Sequence, residues 1–220
     1  MSPHDPIPRQ RSLFGDSSRP DFDRTYAAVR RVHLDHASWV DHAGGWVTGS
    51  DALFEQIRAG RDWGQRTRTL WDKEMLEPRL TSHWRLGAGE PLLPAIVEQM
   101  RVSLGARYGV DFDSVGFNLY RDGRDSVAWH GDKIRADIEE PVVVLVSLGE
   151  PRRFLLRPYG GGRSLRFDLG GGDLLVTGGR TQRDWQHSVP KVASAGPRIS
   201  LAFRQGLDPR AYGTRRMDPQ

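Results

Sequence analysis

The chain has 220 residues, 37% hydrophobic and 27% charged, enough to bury a core in one domain without disulfide or metal staples. It contains no cysteine, which excludes disulfide frameworks, thiolate metal sites and catalytic thiols, so any metal has to be held by nitrogen and oxygen. Its 32 basic residues against 28 acidic ones give a formal charge of +4, which suits a polyanionic partner but equally reflects a GC-rich coding bias, because Lys73, Lys133 and Lys191 are the only lysines.

Residues 1–23 are rich in proline, serine and charge and are expected to form a mobile arm or a loosely docked strap. "MSPHDPIPRQ" lacks the apolar stretch of a signal peptide, and no apolar run reaches the length of a membrane span, so a cytoplasmic protein without a membrane partner is expected. "SDALFEQIRAG" predicts a short amphipathic helix with Ser50 as its N-cap and Gly60 as its stop. "LPAIVEQMRVSLGARYG", Leu93 to Gly109, repeats apolar residues at helical spacing and predicts a second helix ending on glycine. Beyond it the pattern changes. "VGFNLY", "SVAWH", "PVVVLVSLG", "RRFLLR", "SLRFDL", "GDLLVTGG" and "RISLAFR" are short, rich in β-branched and aromatic residues, and separated by turn residues. Such a series predicts a mostly β fold, a sandwich or jelly roll with flanking helices. The triplets Gly160–Gly162 and Gly170–Gly172 flank a predicted strand and read as turns; a Walker or dinucleotide fingerprint and internal repeats are absent from the sequence.

The chemistry centres on "SVAWHGDKI". In extended chain His130 and Asp132, as residues i and i+2, point the same way, and with His187 they make up the count of a 2-His-1-carboxylate iron site. A histidine at a strand end is also commonly a surface or satisfied core residue, so these three residues alone leave both readings open. "RISLAFR" sets Arg198 and Arg204 six residues apart, hence on one face of a strand. They are either solvated charge on an edge strand or a buried pair, and a buried pair needs carboxylates, which a dicarboxylate cosubstrate supplies. In "NLY", Asn118 and Tyr120 share a face and offer an amide and a phenol to carboxylate oxygens.

Taken together, "NLYRDGRDSVAWHGD", "VSLGEPRRFLLR", "GDLLVTGGRTQRDWQHSVPK" and "RISLAFR" resemble the AlkB family of Fe(II)- and 2-oxoglutarate-dependent dioxygenases, over roughly residues 79–204 and in the family's order and spacing. The resemblance implies a double-stranded β-helix (jelly-roll) core in a single domain spanning 24–210. Residues up to about 90 would be a substrate-recognition region, and 211–220 a tail. It implies that His130, Asp132 and His187 are the catalytic iron ligands, working with Fe(II), 2-oxoglutarate and O2. Arg198 and Tyr120 would hold the distal carboxylate of 2-oxoglutarate, and Asn118 and Arg204 the one nearer the metal. Ser200 stands where the family often has asparagine, which weakens one cosubstrate contact without removing the ion pair. The implied reaction is oxidative dealkylation of alkylated bases in single- or double-stranded DNA, and in RNA, releasing formaldehyde, succinate and CO2. A bacterial repair enzyme acting as a monomer is the expectation.

To reach a base, such an enzyme flips it out and stacks it. Stacking candidates are His130, Trp71 and Trp84, with core packing as the other reading of each tryptophan. Arg79 in "EPRLTSHW" matches a stretch shared with some eukaryotic relatives. Trp129 and Trp185 adjoin the ligands as core residues or pocket walls. Ile134 departs from the pattern: well-known repair members carry an acidic residue two positions beyond the ligand aspartate, where it can approach the base edge. "DWQH" agrees with the nucleic-acid-repairing branch. Two alternatives follow: an oxygenase of a tRNA base, a protein or a small molecule, motivated by Ile134, and a non-catalytic nucleic-acid-binding module, motivated by the arginines.

Overall fold

The computed structural model describes residues 18–70 and 73–206, with backbone alone for 68–70 and 73–75. In chain order, β1 (Asp21–Phe22), β2 (Arg30–His33), β3 (Ser38–Ala43) and β4 (Val47–Thr48) lead into α1 (Ser50–Ala59). The strands β5 (Thr67–Leu70), β6 (Lys73–Leu76) and β7 (Leu80–Arg85) precede α2 (Ala95–Tyr108). Then come β8 (Ser114–Tyr120), β9 (Val127–His130), β10 (Val143–Gly149), β11 (Arg152–Pro158), β12 (Leu165–Leu169) and β13 (Leu174–Gly179). A single helical turn, α3 (Thr181–Asp184), runs into β14 (Trp185–Val189), and β15 (Arg198–Arg204) closes the series.

Two antiparallel sheets make the jelly roll: a seven-stranded one ordered β2-β3-β13-β10-β15-β8-β7 and a four-stranded one ordered β12-β11-β14-β9. The major sheet is covered on both faces, which is why β10 reads as an unbroken apolar run and is buried at every position. Its Val144, Val146 and Leu148 pack with Phe54, Met100 and Leu104 of the helices, while Val143 and Leu145 pack with Phe154 and Leu156 of the minor sheet. The same two-residue period splits β15: Ile199, Leu201 and Phe203 face the helices, and the even-numbered residues face the other sheet. Each such side chain buried contributes about 1.5–3 kcal/mol, so truncating a central one, Phe117→Ala, is expected to cost roughly 3–5 kcal/mol.

Both predicted helices form. α2 buries Val97, Met100 and Leu104 and stops at Gly109, whose φ of 68° permits the left-handed cap. In α1 the cap is not Ser50, as the sequence suggested, but Gly49 at φ 61°; a Cβ there would lie 2.5 Å from the Ser18 carbonyl, so the close approach of the N-terminal strand selects glycine. Of the expected arm, residues 1–17 lie outside the described residues, and Asp21–Phe22 is paired as β1 with β4, with Phe22 buried. The tail 211–220 also lies outside them. Among the described residues no helix is long and apolar enough to cross a membrane.

Candidate metal centre

The minor sheet brings the two histidines together. On β14 and β9, His187 and His130 are direct cross-strand partners, with ring centroids 4.3 Å apart. The chain leaves the sheet after His130, turns through Gly131, and returns Asp132 to the same point, so that one ligand atom from each of His130, Asp132 and His187 lies within 4.8 Å of the others. At Gly131 a Cβ would meet the Tyr159 hydroxyl at 2.5 Å, so a larger residue there would push the exposed Tyr159 side chain aside.

The protonation states suit a cation. His130 Nδ1 donates to the Ala128 carbonyl at 2.8 Å, which leaves the Nε2 lone pair free. Burial lowers the pKa of His130 and lowers that of His187 to about 3, with His130 adding to the latter shift, so both rings are neutral near neutral pH. Burial acts to raise the pKa of Asp132, but Arg204 first, then His187 and His130, overcome it and hold the carboxyl well below the usual range. Arg204 grips Asp132 Oδ1 at 2.9 Å, while the buried Oδ2 has no hydrogen-bond partner. A buried carboxylate oxygen without a partner, beside two neutral imidazoles, fits a divalent metal with nitrogen and oxygen ligands.

Behind the triad lies a pocket lined by His130, His187, Asn118, Tyr120, Arg198, Ser200 and Arg204, among others. The sequence reading placed these residues on shared faces; the register explains how tightly. Tyr120 sits opposite Arg198 and Asn118 opposite Ser200 on the adjacent strands β8 and β15. Asn118 donates to the Ser200 carbonyl at 3.4 Å. Arg198 is 1% exposed; its Nε donates to Ser147 Oγ at 2.8 Å and its guanidinium lies 5.3 Å from the Tyr120 ring centre, while Nη1 is buried without a partner. A buried cation with an unmet donor is costly unless an anion comes to it, and a carboxylate is the anion its planar fork matches. The profile of the 2OG-Fe(II) oxygenase superfamily matches residues 55–204, the span that contains every one of these side chains.

The chain belongs to the 2OG-Fe(II) oxygenase superfamily. Among its relatives is the Bos taurus alpha-ketoglutarate-dependent dioxygenase alkB homolog 3, 33% identical over 183 residues, covering 70% of this chain and 61% of that protein. The Arabidopsis thaliana DNA oxidative demethylase ALKBH2 is 38% identical over 120 residues, 44% of this chain and 38% of that one. The chain thus spans about three fifths of the length of the alkB homolog 3 relative. Its fold is shared with the solved structure of OsALKBH1, at a TM-score of 0.58 and 18% identity over 80% of this chain and 100% of that one. The resemblance to the AlkB family drawn from the four motifs therefore holds.

A second cavity meets the first at His130 and is lined by cations: Arg66, Arg79, Lys133 and Arg204, with Thr81, His83 and Asp132. Arg79, Asn118, His130 and Arg204 line both cavities. Of the residues proposed from sequence to touch substrate, Arg79 is therefore at the site. Trp71 lies outside the described residues. Trp84 is corrected: it is 8% exposed, packs in the core with α2, and its indole N–H donates to the Glu90 carbonyl at 2.8 Å. Ile134 is corrected too, being 5% exposed within the core between the sheets rather than at the cavity wall. Trp129 precedes His130 by one position along β9 and so turns to the opposite face, where the Arg157 guanidinium stacks 4.0 Å from its ring centre. Trp185 is buried and donates its indole N–H to Asp35 at 2.8 Å, so it anchors the start of β14.

Residues that sequence reasoning did not single out include Ser147, which orients Arg198, and Phe154, whose ring stacks 5.2 Å from that of His187. Arg152 is another: 2% exposed, it donates to the carbonyls of Asp122, Asp125 and Pro190 and so fastens the turn that follows Tyr120. A serine inside "VVVLVSLG" and an arginine opening "RRFLLR" were the available signals: polar residues at inward positions of otherwise apolar strands.

Proposed function

We propose that this chain oxidatively removes alkyl groups from nucleic-acid bases, in DNA first and in RNA as a second substrate class, with release of formaldehyde, succinate and CO2. The observation that carries the reading is the convergence of His130, Asp132 and His187 at the junction of an inner cavity lined by Arg198, Tyr120 and Asn118 and an outer one lined by cations. The similarity to alkB homolog 3 and to a DNA oxidative demethylase supports the choice of substrate. We place the enzyme in the cytoplasm as a monomer, since a reducing compartment keeps iron ferrous. Residues 24–210 form its catalytic unit.

His130, Asp132 and His187 would hold Fe(II), which, together with 2-oxoglutarate and O2, supplies the oxidising power that hydroxylates an N-methyl carbon; the N-hydroxymethyl product then loses formaldehyde. The chain does the positioning. Arg198, oriented by Ser147, and the Tyr120 phenol take the distal carboxylate of 2-oxoglutarate. Asn118 and Arg204 face the end nearer the metal, and Arg204 in addition keeps Asp132 ionised. Ser200 is shorter than the asparagine often found there, so Asn118 across the ladder is the remaining amide at that level. In the outer cavity Arg79, Arg66 and Lys133 attract the phosphates of a strand whose flipped base reaches His130. Seating that base excludes water from the centre.

The test is turnover of single-stranded oligonucleotides carrying an N-methylated base. Formaldehyde and succinate should appear together and each should require both Fe(II) and 2-oxoglutarate. Succinate production that no alkylated DNA or RNA oligonucleotide stimulates, but a protein or small-molecule substrate does, overturns the assignment.

A further inference from the structure

β9 ends at His130, so Asp132 lies outside the ladder that fixes the two histidines relative to each other. The segment that follows is largely solvent-facing: Lys133, Arg135, Ala136 and Asp137 are all exposed. Left to itself, such a coil samples many conformations, and ordering it costs about 1–2 kcal/mol per residue. Arg204 of β15 grips the carboxylate itself, but the backbone that carries it has to be ordered as well, and the structure shows what does this.

The one-turn helix α3 reaches this segment with two adjacent side chains. Gln182, 5% exposed, accepts a hydrogen bond from the Asp132 backbone N–H at 3.2 Å through Oε1, and donates from Nε2 to Thr177 Oγ at 2.8 Å. Thr177, 1% exposed, donates its own hydroxyl to the Val143 carbonyl at 3.4 Å, so the only role left to it toward Gln182 is acceptor, and the amide is locked with its oxygen toward Asp132. Arg183 donates to the carbonyls of Ile134 at 3.2 Å and of Arg135 and Ile138 at 2.6 Å, holding the coil just past the ligand. The same turn runs straight into β14, which carries His187. One short element therefore sets a histidine through the chain and the carboxylate through side chains.

We propose that α3 is the positioning device of the metal centre: Gln182, locked by Thr177, and Arg183 fix Asp132 against the imidazoles of His130 and His187 and so set the affinity for the metal. Neither residue touches the metal; both act through the backbone around Asp132. The proposal rests on the reading of this triad as a metal site.

Cobalt(II), titrated anaerobically and followed by its ligand-field absorbance, reads this without any turnover. Gln182→Met, nearly the same volume without the acceptor, is expected to weaken Co(II) binding by about tenfold or more. Thr177→Val, which leaves Gln182 in place but frees its amide to rotate, is expected to weaken it in the same direction by less. It also stands in should Gln182→Met fail to fold. The two losses should be less than additive in the double variant, because both act through one hydrogen-bonded chain. Wild-type affinity in both single variants, or a lower melting temperature with unchanged Co(II) affinity, overturns the proposal and leaves the metal reading standing. Failure of the unaltered protein to bind Co(II) overturns both.

Discussion

The two cavities that meet at His130 are built in opposite ways. The inner one takes Asn118, Tyr120, Arg198 and Ser200 from regular strands, in cross-strand pairs between β8 and β15 at the centre of the major sheet. The outer one draws on β7 for Thr81 and His83 but takes Arg66, Arg79 and Lys133 from coil between strands. A central ladder holds side chains to within a fraction of an ångström, which suits one small diacid presented always in the same pose. Long side chains on coil keep their freedom, which suits a polyanion that arrives in many sequences and is held by charge rather than by shape. The three candidate metal ligands lie on the seam, two on the minor sheet and one on coil.

Removing Arg198 from the inner cavity should break this contrast most sharply. In Arg198→Met the lost charge-assisted contacts to a carboxylate are worth about 1.5–3 kcal/mol each, so KM for 2-oxoglutarate should rise roughly 100-fold. Co(II) affinity should not move, because Arg198 touches neither His130, Asp132 nor His187. The metal-free protein should be as stable as the unaltered one or more so, since an apolar side chain replaces a buried guanidinium with an unmet donor. Steady-state kinetics against 2-oxoglutarate and a thermal melt check both halves; a destabilised variant with unchanged KM would mean that the arginine is structural.

The outer cavity answers to pH instead. His83 is an exposed residue of β7; burial of its ring, followed by Arg66, Arg204, Arg85 and Arg79, lowers its pKa to about 3, and solvent screening keeps the effect on stability small. Its unfolded value is about 6.5, so below that pH the unfolded chain binds a proton that the folded one refuses. The stability this neutral histidine permits is complete above about 6.5 and is lost progressively as pH falls toward 3. Melting temperatures of the metal-free protein should therefore drop from pH 7 to pH 5, and His83→Gln, neutral throughout, should flatten part of that slope. An equal slope in both proteins would show that the cluster of arginines leaves His83 untouched. The same variant should leave KM for 2-oxoglutarate unchanged, since His83 lines only the outer cavity.

The contrast also explains how much could be read from sequence alone. β8, β10 and β15 are central strands whose two faces meet different neighbours, so burial writes a two-residue period into "GFNLY" and "RISLAFR", and that period put Asn118 with Tyr120 and Arg198 with Arg204 before any coordinates. β2 is an edge strand with all four residues exposed, and nothing in "RRVH" distinguishes it from coil. Trp84 illustrates the remaining ambiguity. An aromatic beside arginines reads equally as a stacking platform or as core, and only its burial against α2, with Glu90 taking its N–H, decides for core. The work of α3 was illegible for another reason: Gln182 and Arg183 act on residues about fifty positions earlier, and the backbone groups they hold carry no sequence signature.

Ile134 offers the finest test, because it lies two residues past Asp132, at the point where the inner packing and the outer cavity come closest. Were it a wall of the substrate cavity, shaving one methylene would alter the fit of one lesion against another. Its side chain instead packs in the core between the sheets, and its carbonyl is held by Arg183. Ile134→Val should then behave as a core deletion, costing about 0.5–1.5 kcal/mol in stability. The ratio of turnover rates among oligonucleotides carrying different alkylated bases should stay the same, since those rates share one centre and one route to it. A chemical-denaturation curve together with a competition assay on mixed lesions separates the outcomes: a changed lesion ratio at unchanged stability would place Ile134 at the base after all, and selectivity would then reside next to the metal rather than among the outer cations.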